Sequence, residues 1–379
     1  MKVGLISIHS AHNYGSVLQA YALQEFLKKE LGDVEIIDYR PEYFEKMYKI
    51  FSFKIYKDFH GFFNKMLHLG WRILNLQARL RKKHKFDDFI RNNYIMTSKR
   101  YSKCEELKEL GLKYDVVFVG SDQVWNTGIT EGFDGAYYLN FVSSNTVKAS
   151  YAASIARSEI EKRYLNDYKQ AVNAFDAISV REESGRKILK KILSKKISVN
   201  IDPTFLIDKK DWDNILQESS LNLSQEPYIF TYVLQENKEL VKVVNAISEN
   251  MGMRVVSIAK KKRYKNETVI SDAGPEDFLY LIKNSTFVVT NSFHGAAFSA
   301  IYRKPCCVIP HLETGSRMVD LYNRLGLSKR ILYRADNLRL AELLDTSDYS
   351  NLTTILEDEY NKSHSFVRDV LKKVEKRAR

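Results

Sequence analysis

Cysteine is nearly absent from this chain of 379 residues, which holds only Cys104, Cys306 and Cys307. They make neither a CxxC pair nor an even disulfide framework, which excludes a disulfide-stapled secreted scaffold; reduced thiols are expected, with Cys306 and Cys307 in the core. Proline (6) and glycine (16) are also scarce, so the chain has no low-complexity linkers. No uninterrupted run of about 18 apolar residues occurs, and Met1 to Ile8 reads as a strand rather than a secretory signal, so a cytoplasmic location is expected. The sequence holds no HExxH, DxD pair or histidine cluster, and no metal site is expected. GxSxG is missing, which removes the usual serine-hydrolase pattern. No repeat of solenoid period is present.

What is there describes a globular protein: 44% hydrophobic and 28% charged residues, with Tyr 23 and Phe 20. Single cores stop growing near about 250–300 residues, so two domains are expected. The net charge of +12 favours an anionic partner, whether nucleic acid, a phosphorylated metabolite or an acidic membrane surface. Charge alone does not choose among them.

Apolar, β-branched runs alternate with helical spacing. Residues 3–8 read as a buried strand, Ser16 to Leu27 as a helix and Val34 to Tyr39 as a second strand. Between them lies Asn13-Tyr14-Gly15-Ser16, a glycine-bearing turn at a helix amino end; it lacks GxGxxG, so a ligand loop and a plain structural turn both remain open. Residues 42–100 are helical, aromatic and basic, as in Phe59 to His68 and Arg79 to Lys85. The spacing suits aromatics packed inward beneath a solvated basic face better than a membrane-surface helix. Further strands are expected at 115–119, 148–150, 177–180, 199–201, 228–233, 254–259, 286–290, 306–309 and 330–333. The pattern predicts two successive αβα domains, 1–205 and 206–379, with a cleft between them and the last helix returning to the first domain.

Several polar turns each follow a predicted strand, and ligands bind where such strand ends meet. They are Asn13 to Ser16, Gly120 to Asn126 with Ser121 and Asp122, Ser154 to Arg157, Arg181 to Ser184, and Asn291-Ser292-Phe293-His294-Gly295. Gly315-Ser316-Arg317 falls on the same edge. Arg181 and Arg317 are candidates for gripping phosphate or carboxylate, with an interdomain ion pair as the alternative. Asp122 reads as a base, a hydroxyl acceptor or an Asx-turn residue. His294 reads as a turn cap or as the reacting group. Trp125 reads as a packing residue.

Taken together, Asn13 to Leu23, Gly120 to Asn126, Ser179-Val180-Arg181-Glu182, Asp202-Pro203-Thr204 and Asn291 to Gly295, with Lys304-Pro305 behind, resemble the polysaccharide pyruvyl transferase family. The resemblance implies a GT-B-like fold of two Rossmann-like domains. It also implies transfer of the enolpyruvyl group of phosphoenolpyruvate onto sugar hydroxyls as a pyruvate ketal, with no redox cofactor. It implies that His294 and a basic residue at or near Arg317 serve the donor, together with Arg181; the donor is expected mainly against the carboxy-terminal half and the sugar mainly against the amino-terminal one. Asn13, Tyr14, Gly15, Ser121, Asn291, Ser292 and Gly295 are expected to bind substrates, and Asp122 to serve as base.

The expected partners are phosphoenolpyruvate and a sugar or glycolipid acceptor, with a peripheral contact between the basic insertion and anionic lipid as a further expectation. A nucleotide-sugar-dependent GT-B glycosyltransferase is the competing enzyme reading. A nucleic-acid-binding protein ranks last, because the densest basic run lies outside the strand-end turns and no recognised motif accompanies it.

Overall fold

The computed structural model describes residues 1–48, 76–110, 113–224, 226–235, 237–310 and 315–379. Two parallel sheets form the two halves. In the first, β1 (Lys2–Ile6), β2 (Asp33–Ile36), β3 (Val116–Val119) and β4 (Val147–Ser150) lie in the order β2-β1-β3-β4. A parallel pair, β5 (Ile178–Val180) and β6 (Ile197–Val199), continues this sheet through the bridges Ala149–Ala177 and Ala153–Val180. The second sheet runs β11-β10-β7-β8-β9, from β7 (Tyr228–Tyr232), β8 (Arg254–Ile258), β9 (Glu267–Ile270), β10 (Phe287–Thr290) and β11 (Cys306–Val308). Runs such as Val-Val-Phe-Val in β3 are buried along their whole length, as strands covered by helices on both faces must be.

Each sheet reverses its strand order once, between β1 and β3 and between β7 and β10. Crevices form at such points, beyond the carboxyl ends of the strands. The halves meet there. Tyr14, at the start of the Tyr14–Leu31 helix, stacks on Phe278 with ring centroids 4.8 Å apart and donates its hydroxyl to the Ala273 carbonyl at 2.8 Å. Arg81 and Lys85, on the Leu76–Asn93 helix, pair with Asp272 and Asp277 of the second half, each at 2.6 Å. One hydrophobic cluster runs from Leu5 and Phe118 through Phe230 and Phe298 to Val367. The Leu352–Ala378 helix follows the second sheet but packs on the first half, where Arg377 pairs with Asp176 at 2.8 Å and Phe26 meets Tyr360 edge-on.

The structure differs from the sequence reading in places. Residues 330–333 make no strand, because a 3-10 turn, Ser328–Arg330, leads into a single bridge from Ile331 to Val308. The guanidinium of Arg330 is buried against Asp348 and the carbonyls of Leu343 and Asp345, which holds this segment as a turn. Strand β9 escapes the apolar pattern because it opens on the buried Glu267, whose carboxylate accepts from Ser257 Oγ and the Tyr264 N–H. Of the expected basic insertion, Glu42–Tyr48 and Leu76–Asn93 are helices, while residues 49–75, with the aromatic run Phe59 to His68, lie outside the described residues. In the Leu76–Asn93 helix Phe86 and Phe89 face inward.

Candidate active site

Between the halves lies a cleft of about 660 Å³ whose walls include Asn13, Asp122, Arg157, Asn291, His294 and Arg317. The turns after β1, β3, β4, β7 and β10 all reach it, together with the start of the Ser316–Arg324 helix.

At one end a buried carboxylate organises the charges. Asp202 is 1% exposed; its Oδ2 accepts from Arg181 Nη1 at 2.8 Å and from Ser121 Oγ at 3.3 Å, and its Oδ1 from Thr204 Oγ1 at 2.8 Å. His294 Nε2 lies 3.5 Å from the same Oδ2, longer than a good hydrogen bond. Burial alone would raise the pKa of Asp202, but His294 and then Arg181 outweigh it and hold the carboxyl well below its usual range. Arg181 is itself buried, and Asp202, Glu182 and Asp122 overcome the desolvation that would otherwise favour losing its charge.

The Phe293 ring lies near two guanidinium groups, 4.2 Å from that of Arg181 and 5.9 Å from that of Arg317. Desolvation and then repulsion from Arg181 push Arg317 down to about 10; its side chain is half-buried, so water softens this push without changing its direction. Arg181 Nε and Nη2, Arg317 Nε and His294 Nε2 have no hydrogen-bond partner in the protein. Buried donors left open in this way are costly unless something else accepts from them.

The imidazole is held from both halves. Ser292 caps the Phe293–Ile301 helix by accepting from the Gly295 N–H at 3.3 Å, which sets the His294 backbone. The ring edge then lies on Gly15, where an added Cβ would fall 1.9 Å from His294 Nδ1. A side chain at that position would collide with the ring. Asn13 caps its own helix, accepting from the N–H groups of Gly15 at 2.9 Å and Ser16 at 3.4 Å. Asn291 braces the loop after β7, accepting from the Leu234 N–H at 2.8 Å and donating to the Gln235 carbonyl at 2.6 Å. Asp122 stands on the cleft wall in a left-handed conformation (φ 72°), its Oδ2 accepting from Ser16 Oγ at 2.6 Å.

The sequence profile of polysaccharide pyruvyl transferases matches residues 13–313. The chain belongs to that family. No curated protein matches the sequence closely enough to count as a relative. Among solved structures, the UDP-N-acetylglucosamine 2-epimerase of Rickettsia bellii is 11% identical with a TM-score of 0.57, over 99% of this chain and 97% of that one. The UDP-GlcNAc 2-epimerase of Methanocaldococcus jannaschii, solved in complex with UDP-GlcNAc and UDP, is 16% identical with a TM-score of 0.51, over 98% and 99%. Such identities speak to fold alone, and the fold is GT-B.

Within this pyruvyl transferase family member, Asn13, Asp122, Asn291, Ser292, His294 and Arg317 come together on the cleft. Others expected to touch substrate stand elsewhere. Tyr14 is 1% exposed and joins the halves by packing; Ser121 is buried and serves Asp202; Gly295 packs against Thr290, where a Cβ would meet Oγ1 at 2.4 Å. Arg181 lies behind the cleft wall and acts through Asp202 and Phe293. The lining of the cleft is mixed in charge: Arg157 and Arg317 share it with Asp122, Glu159 and Glu161. Arg157 is also tied to Asn126 Oδ1 at 2.9 Å and to Glu161 at 3.2 Å. Sequence reasoning gave no role to Asp202 or Glu182, although both stand in the matching motifs. Glu182 Oε1 accepts from Ser154 Oγ and from the N–H groups of Ile155 and Ala156, which shapes the turn carrying Arg157. Trp125 is fully buried, donating to the Tyr137 carbonyl at 2.9 Å.

Proposed function

We propose that the cleft transfers the enolpyruvyl group of phosphoenolpyruvate onto two hydroxyls of a sugar, in a cell-surface polysaccharide or its lipid-linked precursor, leaving a pyruvate ketal and inorganic phosphate. The observation that supports this reading is that Arg317 and His294, each with a nitrogen lacking a hydrogen-bond partner, line the cleft together with the carboxylate of Asp122, while Arg181 backs them from behind the wall. A small dianion with phosphate and carboxylate groups suits Arg317 and His294; a sugar hydroxyl suits Asp122.

One acceptor hydroxyl adds to the central carbon of the enol as a proton reaches the methylene carbon. Phosphate leaves with the carbon–oxygen bond, and the second hydroxyl takes its place. Of the two hydroxyl protons released, one balances the new methyl group and the other leaves with phosphate. His294 supplies the proton that makes the methyl group, Asp122 accepts from the attacking hydroxyl, and Arg317 steadies the departing phosphate. The acceptor lies against the first half and the donor against the second.

Incubation with phosphoenolpyruvate and candidate glycans is expected to release inorganic phosphate. Mass spectrometry is expected to show each modified sugar heavier by one pyruvic acid less one water. His294→Ala is expected to abolish both while the circular dichroism spectrum is unchanged; near-normal turnover would remove the imidazole from the mechanism. Contact of the basic insertion with membrane is a separate proposal, checked by salt-sensitive pelleting with anionic but not neutral liposomes. Arg81 and Lys85 of its basic run are already engaged by Asp272 and Asp277. No helix among the described residues is long and apolar enough to cross a membrane.

A further inference from the structure

The Ser316–Arg324 helix brings Arg317 to the cleft, and the same face of this helix grips the other half. Arg317, Asp320 and Arg324 are spaced three and four residues apart, so their side chains lie along one stripe. Arg317 is at the cleft end. One turn on, the Asp320 carboxylate reaches across the seam and accepts from the Glu183 N–H at 3.0 Å. A further turn on, Arg324 donates to the Val199 carbonyl at 3.2 Å and to the Glu359 carboxylate of the Leu352–Ala378 helix, which packs on the first half.

At Asp320 the second half completes a helix of the first. Glu183 opens the Glu183–Lys190 helix, whose cap residue, Glu182, makes no side-chain hydrogen bond to the first turn. The first N–H of a helix has no partner within it, and the helix dipole favours a carboxylate there. Asp320 supplies that acceptor from the other half. Because the Glu183–Lys190 helix directly follows Arg181 and Glu182, this bond ties the arginine that pairs with Asp202 to the helix that carries Arg317. Arg181, Asp202, Phe293, Arg317 and Asp320 all line one small cavity behind the cleft wall, so the tie runs immediately behind the site. Among the described residues Asp320 makes no ion pair with Arg317, although an i, i+3 spacing would permit one. Its carboxylate is committed across the seam, and Arg317 keeps Nε open.

We infer that Asp320 is a positioning residue: by capping the first half's helix it fixes where Arg317 stands relative to Arg181 and His294, and so sets how tightly that end of the cleft holds an anion. It rests on the proposed function only in taking that end as an anion site, not in the transfer of a pyruvyl group. The direction of the effect separates positioning from bulk charge. An acid acting through its charge alone opposes an anion nearby, so its removal would tighten binding; removal of an acid that positions Arg317 weakens it.

Inorganic phosphate, titrated calorimetrically into the full-length protein and its variants, reads this effect. Asp320→Ala loses the acceptor and is expected to bind phosphate about fivefold more weakly, the scale of a coupling carried by one contact between packed elements. Asp320→Asn keeps an oxygen for the Glu183 N–H while dropping the charge, and is expected to bind at least as tightly as the parent. Arg324 still holds the helix to the first half in both variants, and thermal denaturation beside the titrations is expected to find both folded. An alanine variant that binds as tightly as the asparagine one overturns the inference. So does an asparagine variant that binds more weakly than the parent, a result that stands even if the alanine variant does not fold. Absence of any phosphate binding that Arg317→Ala removes overturns it as well. Phosphoenolpyruvate-dependent phosphate release is assayed separately, so the transfer reaction can fail while this coupling stands.

Discussion

Asp202 carries more of this site than any residue that lines the cleft. It binds Arg181 and Ser121 of the first half and attracts His294 of the second, so its single carboxylate fixes the imidazole relative to both. Replacing it by asparagine would leave the buried Arg181 with Glu182 alone, at 3.8 Å. Breaking a buried pair from one side costs about 3–5 kcal/mol. Asp202→Asn is therefore expected to lower the melting temperature and to reduce turnover by more than the loss of stability accounts for, checked by thermal denaturation beside phosphate release. Unchanged melting would mean that Arg181 finds another partner. At this scale the sequence was legible in the turns that follow the strands, because those turns reach the cleft: Asn13, Asp122 and His294 are cases, whereas Ser121 in the same kind of turn is buried. Tyr14 was misread, since its ring turns away from the turn to pack on Phe278. No local pattern separates an aromatic that meets ligand from one that meets the other domain.

At the scale of elements, the Pro275–Asn284 helix is built to start sharply. Pro275 sits in its first turn, and the Asp277 carboxylate accepts from the Gly274 N–H at 2.8 Å while also holding Ser219 Oγ and Lys85. Beside it, burial and then Asp277 and Glu218 raise the Glu276 carboxyl from 4.5 to about 7. A raised carboxyl holds its proton more tightly in the native state. Its contribution is neutral below pH 4.5, and stability falls as the pH climbs from there through 7. Glu276→Gln is accordingly expected to melt higher than the parent at pH 8 and no higher at pH 5; the reverse ordering would show that the helix dipole dominates. Most elements were readable from apolar periodicity because these strands are covered on both faces. Strand β9 and the turn at Ser328–Arg330 were not, because each depends on a buried charge, Glu267 or Arg330, whose partners are elsewhere in the chain.

At the scale of the molecule, two sheets that each reverse strand order once are set with those points facing, and the cleft is what lies between. The fold accommodates both pyruvyl transfer and nucleotide-sugar chemistry, so ligand choice has to be measured. Phosphoenolpyruvate at about 100 times its Kd is expected to add about 2.7 kcal/mol and raise the melting temperature by a few degrees. A UDP-sugar that does so while phosphoenolpyruvate has no effect would favour a glycosyltransferase instead.

The sequence by itself determined the two-sheet architecture, the strand-end turns and the family, because periodicity and short motifs are local properties of a chain. Only the tertiary structure decided that Asp202 couples Arg181 to His294, that Gly15 supports the imidazole and that Tyr14 packs on Phe278, since each of these is a contact between segments far apart along the chain. Such contacts depend on how two packed halves are set against each other, and that geometry is fixed by the summed packing of many side chains rather than by any one motif.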